Sequence, residues 1–128
     1  MLLIKTEVKP SKINGLGLFA KVDIPKGTDI WKFSGIDIKI RIDEVEAKST
    51  DGEMITINYE YFFKYAYREG NYYIFCSDDA KYMNHSKESN CSESGGYTVT
   101  NRDIKAGEEL TCDYSKFDED FNENEFYS

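Results

Sequence analysis

The chain has a single histidine, three cysteines, two prolines and no long apolar run in its 128 residues. One histidine excludes a histidine-rich metal site, and Cys76, Cys91 and Cys112 form no C-x-x-C pair, so metal-ligand spacing is missing and no metal is expected. Three thiols cannot all pair within one chain, which points to a reducing, cytoplasmic setting. The opening Met1-Leu2-Leu3-Ile4 is too short for the apolar core of a secretory signal, and Lys5 follows at once. No stretch approaches the ~20 apolar residues of a membrane span, so a soluble protein is expected. Positive charge is also scarce: 16 Lys and Arg stand against 24 Asp and Glu, a net charge of −8. A basic patch for direct nucleic-acid binding is therefore not expected. The acidic balance favours a basic partner such as a lysine-rich protein segment, or serves only to keep the chain soluble.

Aromatic residues, by contrast, are plentiful at 15%, including ten Tyr and eight Phe. They suffice for a β-rich core and leave rings to line a pocket. The length suits one domain, residues 1–128, burying roughly two-thirds of its unfolded surface without a staple. Residues 2–8 alternate loosely and read as an edge strand stopped by Pro10. Asp23-Ile24-Pro25-Lys26-Gly27-Thr28-Asp29-Ile30 is echoed by Asp103-Ile104-Lys105-Ala106-Gly107-Glu108-Glu109-Leu110, and each reads as a strand–turn–strand unit with Gly where the turn needs positive φ. Ile36 to Ile42 alternates at period two and predicts a half-buried strand, whose end could instead enter a helix over 43–47 capped by Asp43. Residues 48–53 read as a polar loop. Tyr59 to Tyr73 reads as two aromatic strands around a turn at Arg68-Glu69-Gly70-Asn71. Ser89 to Gly96 reads as a loop and Tyr97 to Thr100 as a strand. The tail over 115–128 is acidic, but Phe117, Phe121, Phe126 and Tyr127 predict that it packs on the body as a short helix or a cap.

Three motifs stand out in order. Gly15-Leu16-Gly17 lacks the third glycine and the βαβ setting of a dinucleotide fingerprint, and alone is only a loop. Asn84-His85-Ser86 is followed by Asn90, and Gly107-Glu108-Glu109-Leu110-Thr111-Cys112-Asp113-Tyr114 ends in a tyrosine closing a short strand. A Cys–His hydrolase built on His85 is possible by composition but has no local signature. Taken together, the three motifs resemble those of SET-domain proteins, the S-adenosylmethionine-dependent lysine methyltransferases, from about Lys12 to Phe121.

The resemblance implies a mainly β SET fold: several small sheets, a C-terminal segment threaded beneath a loop, and one or two short helices. It implies that Asn14, Gly15 and Leu16 contact S-adenosylmethionine, with Gly17 permitting the turn. Asn84 and His85 become cofactor-site residues, His85 mainly structural. Trp31, the only Trp, either borders the cofactor or packs in the core. Tyr114 becomes the catalytic tyrosine. The substrate is a lysine-bearing basic protein or peptide, whose amine attacks the sulfonium methyl in line. A free lysine has a pKa of about 10.4, so only about one in a thousand is neutral near pH 7.4. A narrow aromatic channel disfavours the charged form and aims the lone pair, leaving Tyr114 to orient the amine rather than act as base. Tyr65 and Tyr67 are candidates for the channel wall or cofactor edge, or for paired rings in a sheet.

The sequence also departs from the family. The motif after Ser86 continues Lys87-Glu88-Ser89-Asn90, without the common Cys and Pro. Cys112 stands where Phe or Tyr often shapes the channel and influences how many methyl groups are added. No Cys-rich zinc segment follows, so Phe117, Phe121 or Tyr127 is expected to close the channel instead. Two other readings use the same features: a non-catalytic SET-like module binding a basic partner through its acidic face, and a methyltransferase for a small amine.

Overall fold

The computed structural model describes residues 1–43 and 59–122. Its strands are β1 (Thr6–Pro10), β2 (Leu16–Ala20), β3 (Asp29–Lys32), β4 (Ile38–Arg41), β5 (Tyr67–Glu69), β6 (Tyr72–Phe75), β7 (Asn84–His85), β8 (Cys91–Ser94), β9 (Tyr97–Thr100) and β10 (Glu109–Cys112). One sheet runs β1-β2-β10-β8-β9-β3, with β7 also on β10, and a second runs β4-β6-β5. This is the mainly β architecture of small sheets expected from the sequence. Leu18, Ile24, Ile30, Ile104 and Leu110 form the centre of the core, each no more than 2% exposed. Each such side chain contributes about 1.5–3 kcal/mol by leaving water.

The repeated Asp-Ile-x-x-Gly unit turns out to be a reciprocal clamp. Ile24 and Ile104 exchange both backbone hydrogen bonds at 2.8 Å. Asp103 accepts from the Lys26 N–H and Asp23 from the Ala106 N–H, again each at 2.8 Å. Gly27 and Gly107 close the two turns at φ 83° and 94°. The turn preceding β3 is thereby fastened to the turn preceding β10.

Strand β10 sits between two neighbours that are consecutive in the chain. Thr111 and Cys112 pair in parallel with Asn84 and His85 on one side, and Cys112 pairs with Cys91 on the other. The connection over 86–90 therefore passes across the end of β10, and the chain beyond Cys112 runs beneath it. The Ser86 N–H fastens the connection to Cys112 O at 3.0 Å. Asn90, 2% exposed, closes it from the other end: Nδ2 donates to Glu109 O at 2.8 Å, and Oδ1 accepts from the Thr111 N–H at 2.9 Å. Such threading is rare among folds.

Several elements differ from expectation. Tyr59–Tyr65 is a helix, not a strand. Phe62 stacks on Phe75 at 5.4 Å and Phe63 meets Tyr73 edge-on at 5.2 Å, so packing on β6 overrides the β preference of the rings. The apolar stretch over 2–8 is divided: Leu2 and Leu3 bond to the β3 region, and only Thr6 onward pairs with β2 as the edge strand. Pro10 is the last residue of that strand rather than its stop. β4 is shorter than the alternating run and, among the described residues, pairs with β6 alone, leaving Ile36 and Ile38 51% and 39% exposed instead of on a half-buried face. Ser89 to Gly96 contains β8, joined to β9 by Gly95-Gly96 at φ 56° and 85°, the positive pair that a two-residue hairpin needs. The alternative helix over 43–47, the loop over 48–53, and Phe126 and Tyr127 lie outside the described residues. Within them the tail begins with a 3₁₀ turn, Tyr114–Lys116, then lies on the body as a cap: Phe117 meets Tyr67 edge-on at 5.3 Å and Phe121 lies 4.5 Å from the His85 ring.

Asn90→Ala is expected to lower the unfolding free energy by about 1–3 kcal/mol for each of the two backbone groups it strands. Urea denaturation measures this; a loss below about 0.5 kcal/mol would contradict the role given to Asn90.

Candidate active site

The loop before β2 is drawn in by one side-chain amide. The two N–H groups of Asn84 Nδ2 are shared among three acceptors, Asn14 O at 3.0 Å, Leu16 O at 3.1 Å and Glu109 Oε2 at 2.9 Å. Three oxygens around the nitrogen fix the amide's orientation and leave Oδ1 with no protein partner among the described residues. Glu109 also accepts from Ser11 Oγ at 2.7 Å, so β10, β7 and the loop share one carboxylate. Gly15 makes the turn at φ 47°. Gly17 does not: it lies on β2 with ordinary φ, and a Cβ there would come within 2.6 Å of Glu109 Oε2. Its smallness serves this close approach, not the turn expected of it.

Tyr114 follows β10 and is held at both ends. Its N–H donates to His85 Nδ1 at 3.1 Å, and its hydroxyl donates to Met83 O. Because Nδ1 accepts, the proton of the neutral imidazole is on Nε2. His85 is 1% exposed and faces Tyr114 and Phe121, a packing and positioning place. Burial, reinforced by the nearby Cys112 and Cys76 thiols, pushes the Tyr114 phenol well above its ordinary 10.0. The phenol stays protonated near neutral pH, so its oxygen can accept a hydrogen bond but does not act as a phenolate base.

Two cavities meet at this tyrosine. The larger, about 500 Å³, is within the size range of small-molecule sites; the smaller is about 40 Å³. Tyr65, Tyr67, Lys81, Met83 and Tyr114 line both. Of the residues singled out from the sequence, Asn14, Gly15, Leu16 and Asn84 line the larger cavity, while Cys112 and Phe117 line the smaller. Gly17 and His85 reach neither wall and act from behind it. Trp31 lines the smaller cavity rather than the larger, packed with Cys76 and Ala80, so it does not border the space beside Asn84. Tyr65 ends the helix instead of lying on the strand before Gly70. Sequence reasoning passed over Met83, Lys81, Glu93 and Glu109. Met83 and Lys81 sit just before Asn84, and adjacency was the signal available for them; Glu93 was hidden by reading β8 as a loop.

The chain belongs to the SET-domain family, whose model matches residues 15–115. Similar solved structures include a humanized mutant of the Chaetomium thermophilum Polycomb Repressive Complex 2 bound to an inhibitor. Its TM-score is 0.66 at 20% identity, over 91% of this chain and 16% of that one. The apo complex from the same organism, mutated in Ezh2, has a TM-score of 0.68 at 22% identity with the same coverage. A candidate histone methyltransferase of Plasmodium falciparum has a TM-score of 0.61 at 18% identity, over 88% of this chain and 95% of that one. The chain thus spans only 16% of the Polycomb chains it matches. At these identities the likeness is one of fold. No match was found among curated protein sequences.

Burial pushes the thiols of Cys76 and Cys91 up to about 12 from an ordinary 9.0, and that of Cys112 well above it. At pH 8 Ellman's reagent is expected to label none of the three within minutes in the folded protein and all three after unfolding. A raised folded pKa means stability that is complete below about pH 9 and lost as pH rises towards 12. Denaturation midpoints measured across that window should fall; a flat profile would contradict the burial of these groups.

Proposed function

We propose that this chain transfers a methyl group from S-adenosylmethionine to the side-chain amine of a lysine in a basic protein or peptide. The observation that carries the reading is the meeting of a cofactor-sized cavity and a narrow aromatic one at a single neutral tyrosine. The larger cavity suits the cofactor. Open space surrounds the position where Gly15 lacks a Cβ, the Asn84 Oδ1 can accept from an ammonium, and Tyr65, Tyr73 and Phe121 offer faces to a purine. Asn14, Gly15 and Leu16 would hold it through the backbone, and Asn84 through its side chain. When bound, the cofactor supplies an electrophilic methyl on a positively charged sulfur.

The chain's own residues then have distinct tasks. The smaller cavity, walled in part by Tyr67, Tyr114 and Phe117, removes water from an entering amine, and beside the neutral Tyr114 that desolvation disfavours its charged form. Tyr114, its proton committed to Met83 O, presents an oxygen lone pair that orients the amine along the line of attack. His85 is a positioning residue, fixing the tyrosine through its backbone N–H. Cys112 leaves the wall less bulky than an aromatic residue would. The acidic balance of the chain, −8, favours a basic protein substrate over nucleic acid. A reducing cytoplasmic setting belongs to the same proposal, supported by three cysteines that are all buried and unbridged.

Calorimetry is expected to find one saturable site for S-adenosylhomocysteine, weakened at least tenfold by Asn84→Ala. Tyr114→Phe should retain that binding while methyl transfer to a lysine-rich peptide, followed with labelled cofactor, falls about a hundredfold or more. Wild-type turnover by Tyr114→Phe would overturn the catalytic role. A folded protein that binds no S-adenosylhomocysteine would favour an interaction module using its acidic face.

A further inference from the structure

The smaller cavity carries a charged side chain that the transfer chemistry does not use. Glu93, on β8, is half-buried and lines this cavity beside Trp31, Tyr67 and Phe117. Its Oε1 accepts from the Gly96 N–H at 3.1 Å across the hairpin turn. Among the described residues no cation is paired with it, although a partly desolvated carboxylate without a counter-charge is costly. Burial first, and then surrounding negative charge that includes Glu93, hold Tyr67 and Cys112 in their neutral forms, so the carboxylate's field reaches the wall.

Two further observations give the cavity a polarity. Lys81 lines both cavities, its Nζ donating to Asp78 O at 3.2 Å and lying over the Tyr82 ring at 5.2 Å. Glu93 lines only the smaller one. Trp31, 4% exposed, lines the same small cavity, and its Nε1–H is buried with no acceptor among the described residues. A carboxylate without a counter-charge in one narrow, aromatic-walled space describes a receptor for a cation.

We infer that Glu93 is the anionic receptor of the smaller cavity: it binds a primary alkylammonium, the head of a lysine side chain, before that amine reaches Tyr114. Lys81 and Tyr114 line both cavities, and the like charge of Lys81 disfavours the ammonium form there, where the neutral amine is needed. Glu93 thus selects a charged, unacylated lysine at entry. This biological role rests on the methyl-transfer reading, whereas ammonium binding itself does not.

Trp31 is the only tryptophan, so its emission reports occupancy of the cavity. At pH 7.5, n-butylamine and an octalysine peptide are expected to change that emission saturably, and 1-butanol is not. Glu93→Gln keeps an acceptor for the Gly96 N–H and so preserves the turn; it should weaken both cations at least tenfold, with Glu93→Asp intermediate. In the transfer assay Glu93→Gln should raise the peptide KM more than it alters kcat, with S-adenosylhomocysteine affinity retained. Equal cation affinity in Glu93→Gln, equal binding of 1-butanol, or no saturable response in the wild type would each overturn the inference. Glu93-dependent butylammonium binding by a protein that transfers no methyl would sustain this inference and overturn the methyltransferase reading instead.

Discussion

The side-chain amide of Asn84 joins the three segments from which the site is built. Its nitrogen sits among the carbonyls of Asn14 and Leu16 and the carboxylate of Glu109, so the glycine loop, β7 and β10 are fixed relative to one another by one group. A hydrogen bond to a charged partner contributes about 1.5–3 kcal/mol, and here the bond is also a geometric constraint. It requires Glu109 to pass close to the backbone at position 17, which only glycine allows. It also leaves the amide oxygen without a protein partner among the described residues, on a residue that lines the larger cavity. The threading of β10 under the 86–90 connection depends on the same neighbourhood, because β7 is the strand that carries both Asn84 and His85.

Placed by this framework, Tyr114 is defined more by what surrounds it than by its own chemistry. The His85 ring holds its backbone, the Met83 carbonyl accepts its hydroxyl hydrogen bond, and Phe117 and Phe121 pack on its ring at 5.0 and 5.9 Å. Burial keeps the phenol neutral. The acidic side chains complete the picture. Asp118 accepts from the Arg68 N–H at 2.9 Å and Arg68 pairs with Asp120 at 3.1 Å, fastening the tail to β5 and carrying the two phenylalanines into place. Within the described residues the tail thus lies against β5 and the Tyr114 ring.

The motifs were legible because each depends on local chemistry. Gly15 and Gly107 are dictated by positive φ, and Asn84-His85 and Tyr114 by side-chain functions that few substitutes supply. Elements whose conformation is decided by distant partners were not legible. The aromatic run from Tyr59 reads as strand by intrinsic preference, yet forms a helix because its rings find Phe75 and Tyr73. The Gly95-Gly96 hairpin was masked by its polar neighbours, and with it Glu93. Trp31 offered a choice between cofactor edge and core that no local pattern resolves; its place beside the smaller cavity follows from the packing of β3 against β9.

By itself the sequence determined the fold class, the family and the order of the motifs, because these are written in residue types at fixed spacings. It also determined the repeated Asp-Ile-x-x-Gly unit, though not that the two copies would grip each other. Only the tertiary structure decided that β10 lies between β7 and β8, that two cavities share Tyr114, and that Glu93 stands in one of them. Those facts arise from contacts between residues tens of positions apart, and such contacts are selected by mutual burial and hydrogen-bond satisfaction rather than by local preference.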